Sequence, residues 1–251
     1  MKNFIIDQEY HRYSEEDHAV WQELTRRQSL LSRDRISKEY LYGLESLSID
    51  RYRIVNIPDL SRKMFASTGW RLVPVQGLIP ADVFFTMIID KVYPVTVPVR
   101  QRSELDFSEQ PDIFHDIFGH LPLLLHRKFS DFLVAYSKIA INYIHNPQAV
   151  EFLARFYWYT YEMGLILEDN AVKAYGGALI TSATEIDNVR STLTHKHPFN
   201  VERMFHTPYN PYKLQNEYFV IEDYISLFHS LQDLESKVEH QLEAVSYEGI
   251  R

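Results

Sequence analysis

Apolar side chains recur every three to four residues along several long stretches of this chain. That spacing commits most of it to helices that bury one face. Between Gln148 and Met163, the residues Val150, Leu153, Ala154, Tyr157, Trp158 and Tyr161 fall on one stripe, opened by Asn146-Pro147 as cap and first turn. Phe129 to Ile144 is amphipathic in the same way, and Phe228, Leu231, Leu234, Val238, Leu242 and Val245 extend the spacing over 222–245. Ser14-Glu15-Glu16-Asp17 has the form of a capping box with acids in the first turn, and leads into Ala19, Val20, Trp21 and Leu24. Glycine is scarce, 8 in 251 residues, whereas sheet proteins with many turns use more of it. Between Trp70 and Arg100, four prolines and the run Val92–Val97 predict loops, one short helix near Asp82–Ile89 and one or two edge strands. The expected fold is therefore mainly α, with short β-strands or hairpins.

No repeat, low-complexity tract or linker divides the chain, so residues 1–251 are expected to form a single domain, with 222–245 as a C-terminal amphipathic helix docked on it. Acids outnumber bases 34 to 26, which argues against a phosphate-backbone binder and hence against a nucleic-acid partner. The opening segment meets Asp7 and Glu9 before any long apolar run, so it does not read as a signal peptide, and the run Leu121–Leu125 is far too short to span a membrane. A cytoplasmic monomer is expected. The absence of cysteine excludes disulfides, thiolate metal sites and a cysteine nucleophile, so any metal must be held by His, Asp or Glu.

The segment Gln110-Pro111-Asp112-Ile113-Phe114-His115-Asp116-Ile117-Phe118-Gly119-His120-Leu121-Pro122 carries the chemistry. It starts as a helix, and Gly119 and Pro122 are expected to end that helix. Two imidazoles five residues apart lie about 140° apart around an α-helix, so a continuous one would not aim both at one ion. A break at Gly119 would bring His120 back toward His115. The alternative is two unrelated histidines, one facing the core and one at a helix end. Glu162 lies in Tyr157-Trp158-Tyr159-Thr160-Tyr161-Glu162, the most aromatic stretch of the chain, and a carboxylate on such a surface needs a partner. That partner is either a metal or a base such as Arg155 or Lys173. Two imidazoles and one carboxylate suit an octahedral iron with open positions, and they also suit a tetrahedral zinc with one bound water.

The ordered set Pro111-Asp112-x-x-His115-Asp116-x-x-Gly119-His120-x-Pro122, then Tyr157-Trp158-x-Thr160-x-Glu162-x-Gly164-Leu165 and Lys173-Ala174-Tyr175-Gly176, resembles the pterin-dependent aromatic amino acid hydroxylases. Their bacterial phenylalanine 4-hydroxylase branch is the most similar. The resemblance runs from about Ser14 to Tyr218, includes Gly77-Leu78-Ile79-Pro80 and Arg100, and matches the catalytic domain without a regulatory domain. It implies that His115, His120 and Glu162 ligate Fe(II). Gly77, Leu78, Ile79 and Phe84 would hold a tetrahydropterin of the tetrahydrobiopterin type, with Asp116 beside it. Arg100 would grip the carboxylate of an aromatic amino acid and Asp112 would orient that arginine, a fork that lysine cannot replace. Ser108, Trp158, Thr181 and Ser182 would form the substrate wall, and Tyr157 would stand beside the iron.

The implied reaction uses O2 and the pterin's two electrons to hydroxylate the ring of the amino acid, phenylalanine to tyrosine in the first instance. Three positions depart from the family pattern: Met163 stands where Phe is more common, Gly177-Ala178 inverts the usual order, and Pro211 replaces a small aliphatic or acidic residue. All three fall on the substrate side, which leaves tryptophan or another aromatic acid open as substrate. A zinc hydrolase with the same three ligands and a non-catalytic helical interaction protein are the remaining alternatives.

Overall fold

The computed structural model of the chain describes residues 4–30, 34–106 and 108–248, the last four by backbone alone. After a 3-10 turn at Tyr10–Arg12, the first helices are α1 (Glu15–Ser29), α2 (Lys38–Leu47) and α3 (Ile57–Thr68). The capping box is in place, with Ser14 Oγ accepting from the Asp17 amide at 3.2 Å and Asp17 accepting from the Ser14 amide at 2.8 Å. Strand β1 (Arg71–Val75), helix α4 (Ala81–Ile89) and strand β2 (Val92–Thr96) make one crossover unit, whose two strands pair in parallel from Arg71 opposite Val92 to Val75 opposite Thr96. Each strand has one edge turned away from its partner, met in β1 by Ile5 and Ile6 near Val75, which is why Pro74 and Pro94 are tolerated in the sheet.

The middle of the chain is helical: α5 (Leu121–Leu124), α6 (Arg127–Asn142) and α7 (Pro147–Tyr157). Beyond them, β3 (Leu165–Glu168) and β4 (Ala171–Ala174) form a hairpin whose turn residues Asp169 and Asn170 have φ of 53° and 59°, the left-handed values such a tight turn requires. Helices α8 (Gly177–Ile180) and α9 (Ala183–Val189), strand β5 (His195–Pro198), helix α10 (Val201–His206) and strand β6 (Glu217–Ile221) follow. The second sheet runs β4-β3-β6-β5, antiparallel within the hairpin and parallel elsewhere. The fold is thus mainly α, with two small sheets.

The 222–245 segment is not one continuous helix. It forms α11 (Tyr224–His229), a 3-10 turn at Ser230–Gln232 and α12 (Leu234–Glu248). The tighter turn re-aims the chain so that Leu231, Leu234 and Val238 all face inward and are buried. Helix α12 docks on the domain, where Glu235 and Glu239 accept from Asn142 and Tyr143 at the end of α6. The side chain of Val245 lies outside the described residues. Among the described residues, no helix is long and apolar enough to cross a membrane.

Candidate active site

Residues His115–His120 wind as a π-helix, and the chain then continues without interruption into α5 with Pro122 in its first turn. The helix therefore does not end at Gly119, as the glycine and proline suggested. Its turn widens instead, and the i to i+5 pitch of a π-helix brings His115 and His120 onto one face. Their Nε2 atoms stand 3.0 Å apart. Gly119 has a different task, because a Cβ there would lie 2.9 Å from the carbonyl oxygen of Gly177, so its absence lets two backbones meet. A second π-helix, Trp158–Glu162, ends α7 and carries the third group. Glu162 Oε2 lies 3.7 Å from His115 Nε2 and 3.5 Å from His120 Nε2.

The three ligand atoms thus lie within 4.8 Å of one another, the spacing of a mononuclear metal site. Burial lowers His115 to about 4 and His120 well below its ordinary value, so both imidazoles are neutral at physiological pH with lone pairs to give. Burial, with the charge of Asp116 adding to it, pushes the Glu162 carboxyl up to about 8, and the Ala178 amide only partly opposes this. Glu162 Oε2 is fully enclosed and has no hydrogen-bond partner. Neither expected base reaches it: Arg155 is held by Glu151 and the Phe205 carbonyl, and Lys173 lies 3.5 Å from Glu168 and 3.6 Å from Asp169. An enclosed, unpaired carboxylate oxygen facing two neutral imidazoles fits a divalent cation and little else.

The surroundings orient these groups. Thr181 Oγ1 donates to the Gly177 carbonyl at 2.9 Å, so its lone pair accepts Nδ1–H of His115 at 3.1 Å, which leaves Nε2 of that ring free. His120 stacks in parallel on Tyr161, with centroids 4.3 Å apart, and the Tyr161 hydroxyl donates to that of Tyr93 at 3.2 Å. Gly177 presses against the other side of the His120 ring, where a Cβ would collide with it.

The ligand set opens onto a cavity of about 890 Å³, the size of a small-molecule site. Gly77, Leu78, Ile79 and Phe84 line it, Leu78 being largely exposed at the rim and the Phe84 ring half-buried edge-on to Phe85. Asp116 also lines it, accepting from the Thr96 amide at 2.7 Å, and burial pushes its carboxyl up to about 7. Ser108, Tyr157, Trp158, Thr181 and Ser182 contribute further wall, as do all three residues that depart from the family pattern, through Met163, Ala178 and Pro211. The stripe Val150, Leu153, Ala154, Tyr157 and Trp158 faces this cavity, while Phe152 and Phe156 of α7 and Tyr159 of the π-helix after it enter the core.

Arg100 lines the cavity but is buried, not a plain surface charge. Its Nε and Nη2 grip the Asp112 carboxylate at 2.9 and 2.8 Å. Asp112 itself sits behind the cavity wall and also accepts from the His115 amide at 2.9 Å, so one carboxylate fixes the arginine and the first turn of the helix bearing the metal ligands. Burial works to raise the Asp112 pKa, but the guanidinium and the two amides prevail and lower it.

Several contributors are invisible in the sequence reading. Tyr161 reads as a stripe residue, yet the wider π turn aims it at His120. Tyr209 stacks on Trp158 at 4.6 Å and Gln215 accepts from the Trp158 indole at 3.2 Å, both from a loop some fifty residues downstream that no local pattern marks.

Comparison with known proteins agrees with this geometry. The family of biopterin-dependent aromatic amino acid hydroxylases matches residues 7–250. Phenylalanine-4-hydroxylase of Chromobacterium violaceum is 40% identical over 227 residues, covering 90% of this chain and 76% of that protein. The Pseudomonas aeruginosa phenylalanine-4-hydroxylase is 37% identical, covering 90% of this chain and 86% of that one. Two crystal structures of the C. violaceum enzyme, each 38% identical, superpose on 96% of this chain. One holds oxidised Fe(III), with a TM-score of 0.91 and 88% of its chain covered. The other holds iron(III) and 7,8-dihydrobiopterin, with a TM-score of 0.90 and 87% covered.

Proposed function

The chain belongs to the biopterin-dependent aromatic amino acid hydroxylases, and we propose from this membership that it converts free L-phenylalanine to L-tyrosine with O2, Fe(II) and a tetrahydropterin. The observation that carries the metal assignment is the enclosed, partnerless Glu162 Oε2 opposite two neutral imidazoles. His115, His120 and Glu162 hold the iron. Bound there, iron and tetrahydropterin supply the electrons and open coordination positions that O2 cleavage requires.

The chain's own residues bind, orient and dry the reactants. The segment Gly77-Leu78-Ile79 receives the pterin by its backbone, Phe84 offers a ring face for stacking and Asp116 a polar edge. Arg100, aimed by Asp112, binds the substrate carboxylate. Trp158, Tyr157, Ser108, Thr181 and Ser182 hold the substrate ring toward the metal side, and the apolar lining excludes water from it. Phenylalanine is favoured over tryptophan because the bacterial relatives at 35–40% identity all bear the name phenylalanine-4-hydroxylase. The enzyme works as a cytoplasmic monomer.

Metal exchange tests this reading against a zinc hydrolase. Protein stripped by a chelator should be inactive, recover hydroxylation with Fe(II) and not with Zn(II), and a His120→Ala variant should lose iron while keeping its helical circular dichroism. Hydrolytic turnover with zinc alone would overturn it.

A further inference from the structure

We infer that Gln215 is a positioning residue that aims the aromatic wall of the cavity and thereby sets which side-chain ring the enzyme accepts. This rests on the aromatic amino acid reading of the site. Gln215 is 6% exposed, and its carboxamide makes three hydrogen bonds. Its Oε1 accepts the Trp158 indole N–H at 3.2 Å, while its Nε2 donates to the carbonyls of Asn210 at 2.8 Å and Lys213 at 2.6 Å. The indole can only donate and the carbonyls can only accept, so the amide has one orientation.

Its backbone is pinned as well. The amide donates to Glu185 Oε1 at 3.1 Å and the carbonyl accepts from Asn188 at 2.7 Å. One side chain thus ties two walls together: Trp158 at the end of α7, and the loop before β6 that presents Tyr209 and Pro211 to the same cavity. Tyr209 stacks on the indole, with its ring 16° from the Trp158 plane. Without the Gln215 acceptor, only the Tyr209 stacking would hold the indole, which could then slide and turn in its own plane and widen the opening available to a substrate ring.

The test uses the iron-loaded enzyme with tetrahydropterin and O2. Gln215→Met removes all three side-chain hydrogen bonds at similar volume, and Gln215→Glu keeps an acceptor for the indole. The chain has 3 tryptophans, whose indole N–H signals in 15N-Trp-labelled protein report Asp50 (Trp21), Ser130 (Trp70) and Gln215 (Trp158) contacts separately.

In Gln215→Met the Trp158 signal should move while the other two hold. The KM for phenylalanine should rise about tenfold with kcat within about twofold, and the preference for phenylalanine over tryptophan should fall about tenfold, the loss expected when one buried hydrogen-bonding hub is removed. Gln215→Glu should recover part of both the signal and the preference. Unchanged kinetics with a shifted Trp158 signal would overturn the proposal, as would a fall in kcat that tracks lost iron, or loss of the fold in both variants. A wild-type enzyme that hydroxylates no aromatic amino acid would instead sink the reading of the site on which the proposal rests.

Discussion

Arg100 and Asp112 are held at bidentate distance inside the protein, so the guanidinium is the one cation that compensates this buried carboxylate. Replacing Arg100 with Ala should raise the KM for phenylalanine about a hundredfold, the value of a charge-assisted hydrogen bond to a carboxylate. Iron content should stay at the wild-type level, and the orphaned Asp112 should cost about 3–5 kcal/mol of stability. Metal analysis and thermal unfolding of the same sample separate these effects, and loss of iron would make Arg100 part of the metal scaffold instead. Glu185 supplies a pH signature. Burial raises its pKa above the ordinary 4.5, although hydrogen bonds from Tyr218 and Gln215 oppose it. The folded state therefore holds this proton more tightly than the unfolded chain. Its contribution is complete below about pH 4.5 and is lost as pH rises through the folded-state pKa. Glu185→Gln should leave Tm unchanged at pH 4 and raise it at pH 8, read by thermal unfolding at the two pH values.

At the scale of elements, two π-helices and one glycine-bearing segment build the metal site. The segment Tyr175–Ala178 passes between them: Gly177 abuts His120 and Gly119, and Gly176 abuts the backbone of Glu162. Gly177→Ala would drive a methyl into the His120 ring, so iron should dissociate at least about tenfold more readily, with a stability loss of ~1–3 kcal/mol. Gly77→Ala, which meets nothing within 4 Å, should leave iron binding as it is; competition with a calibrated chelator measures both. The helices around the site were legible because apolar spacing and caps are local: Ser14 with Asp17 and Asn146 with Pro147 fold as read, while the stripe from Val150 holds only as far as Tyr157, where a π turn takes over. The two His and the Glu were legible as a ligand set through residue type and motif order. The manner of their convergence was not, because an α and a π turn can share one sequence and the choice between them is made by packing against Gly177 and Tyr161. For the same reason the spacing of Val150, Leu153 and Ala154 did not show that they face the cavity, since apolar periodicity does not distinguish a packed neighbour from a substrate pocket.

Across the whole molecule, a large aromatic content separates into two populations. Trp21, Trp70, Tyr40, Tyr136 and Phe129 are fully buried and hold the helices together, while Phe84, Tyr157 and Trp158 stay partly accessible on the cavity. The absence of cysteine leaves the site without a thiol for an oxidant to consume, and leaves His115, His120 and Glu162 as its metal-binding set. The helical frame, the neutral imidazoles and the ring-lined cavity fit one purpose: to hold an aromatic side chain beside a redox metal. The most direct measurement is a single-product assay. Purified protein is reconstituted with Fe(II) and given tetrahydropterin, O2 and L-phenylalanine, with tyrosine and oxidised pterin quantified together by chromatography and mass. Tyrosine should appear in step with pterin oxidation, and none without iron. Iron-loaded protein that yields no hydroxylated product from phenylalanine or any other aromatic amino acid would contradict it.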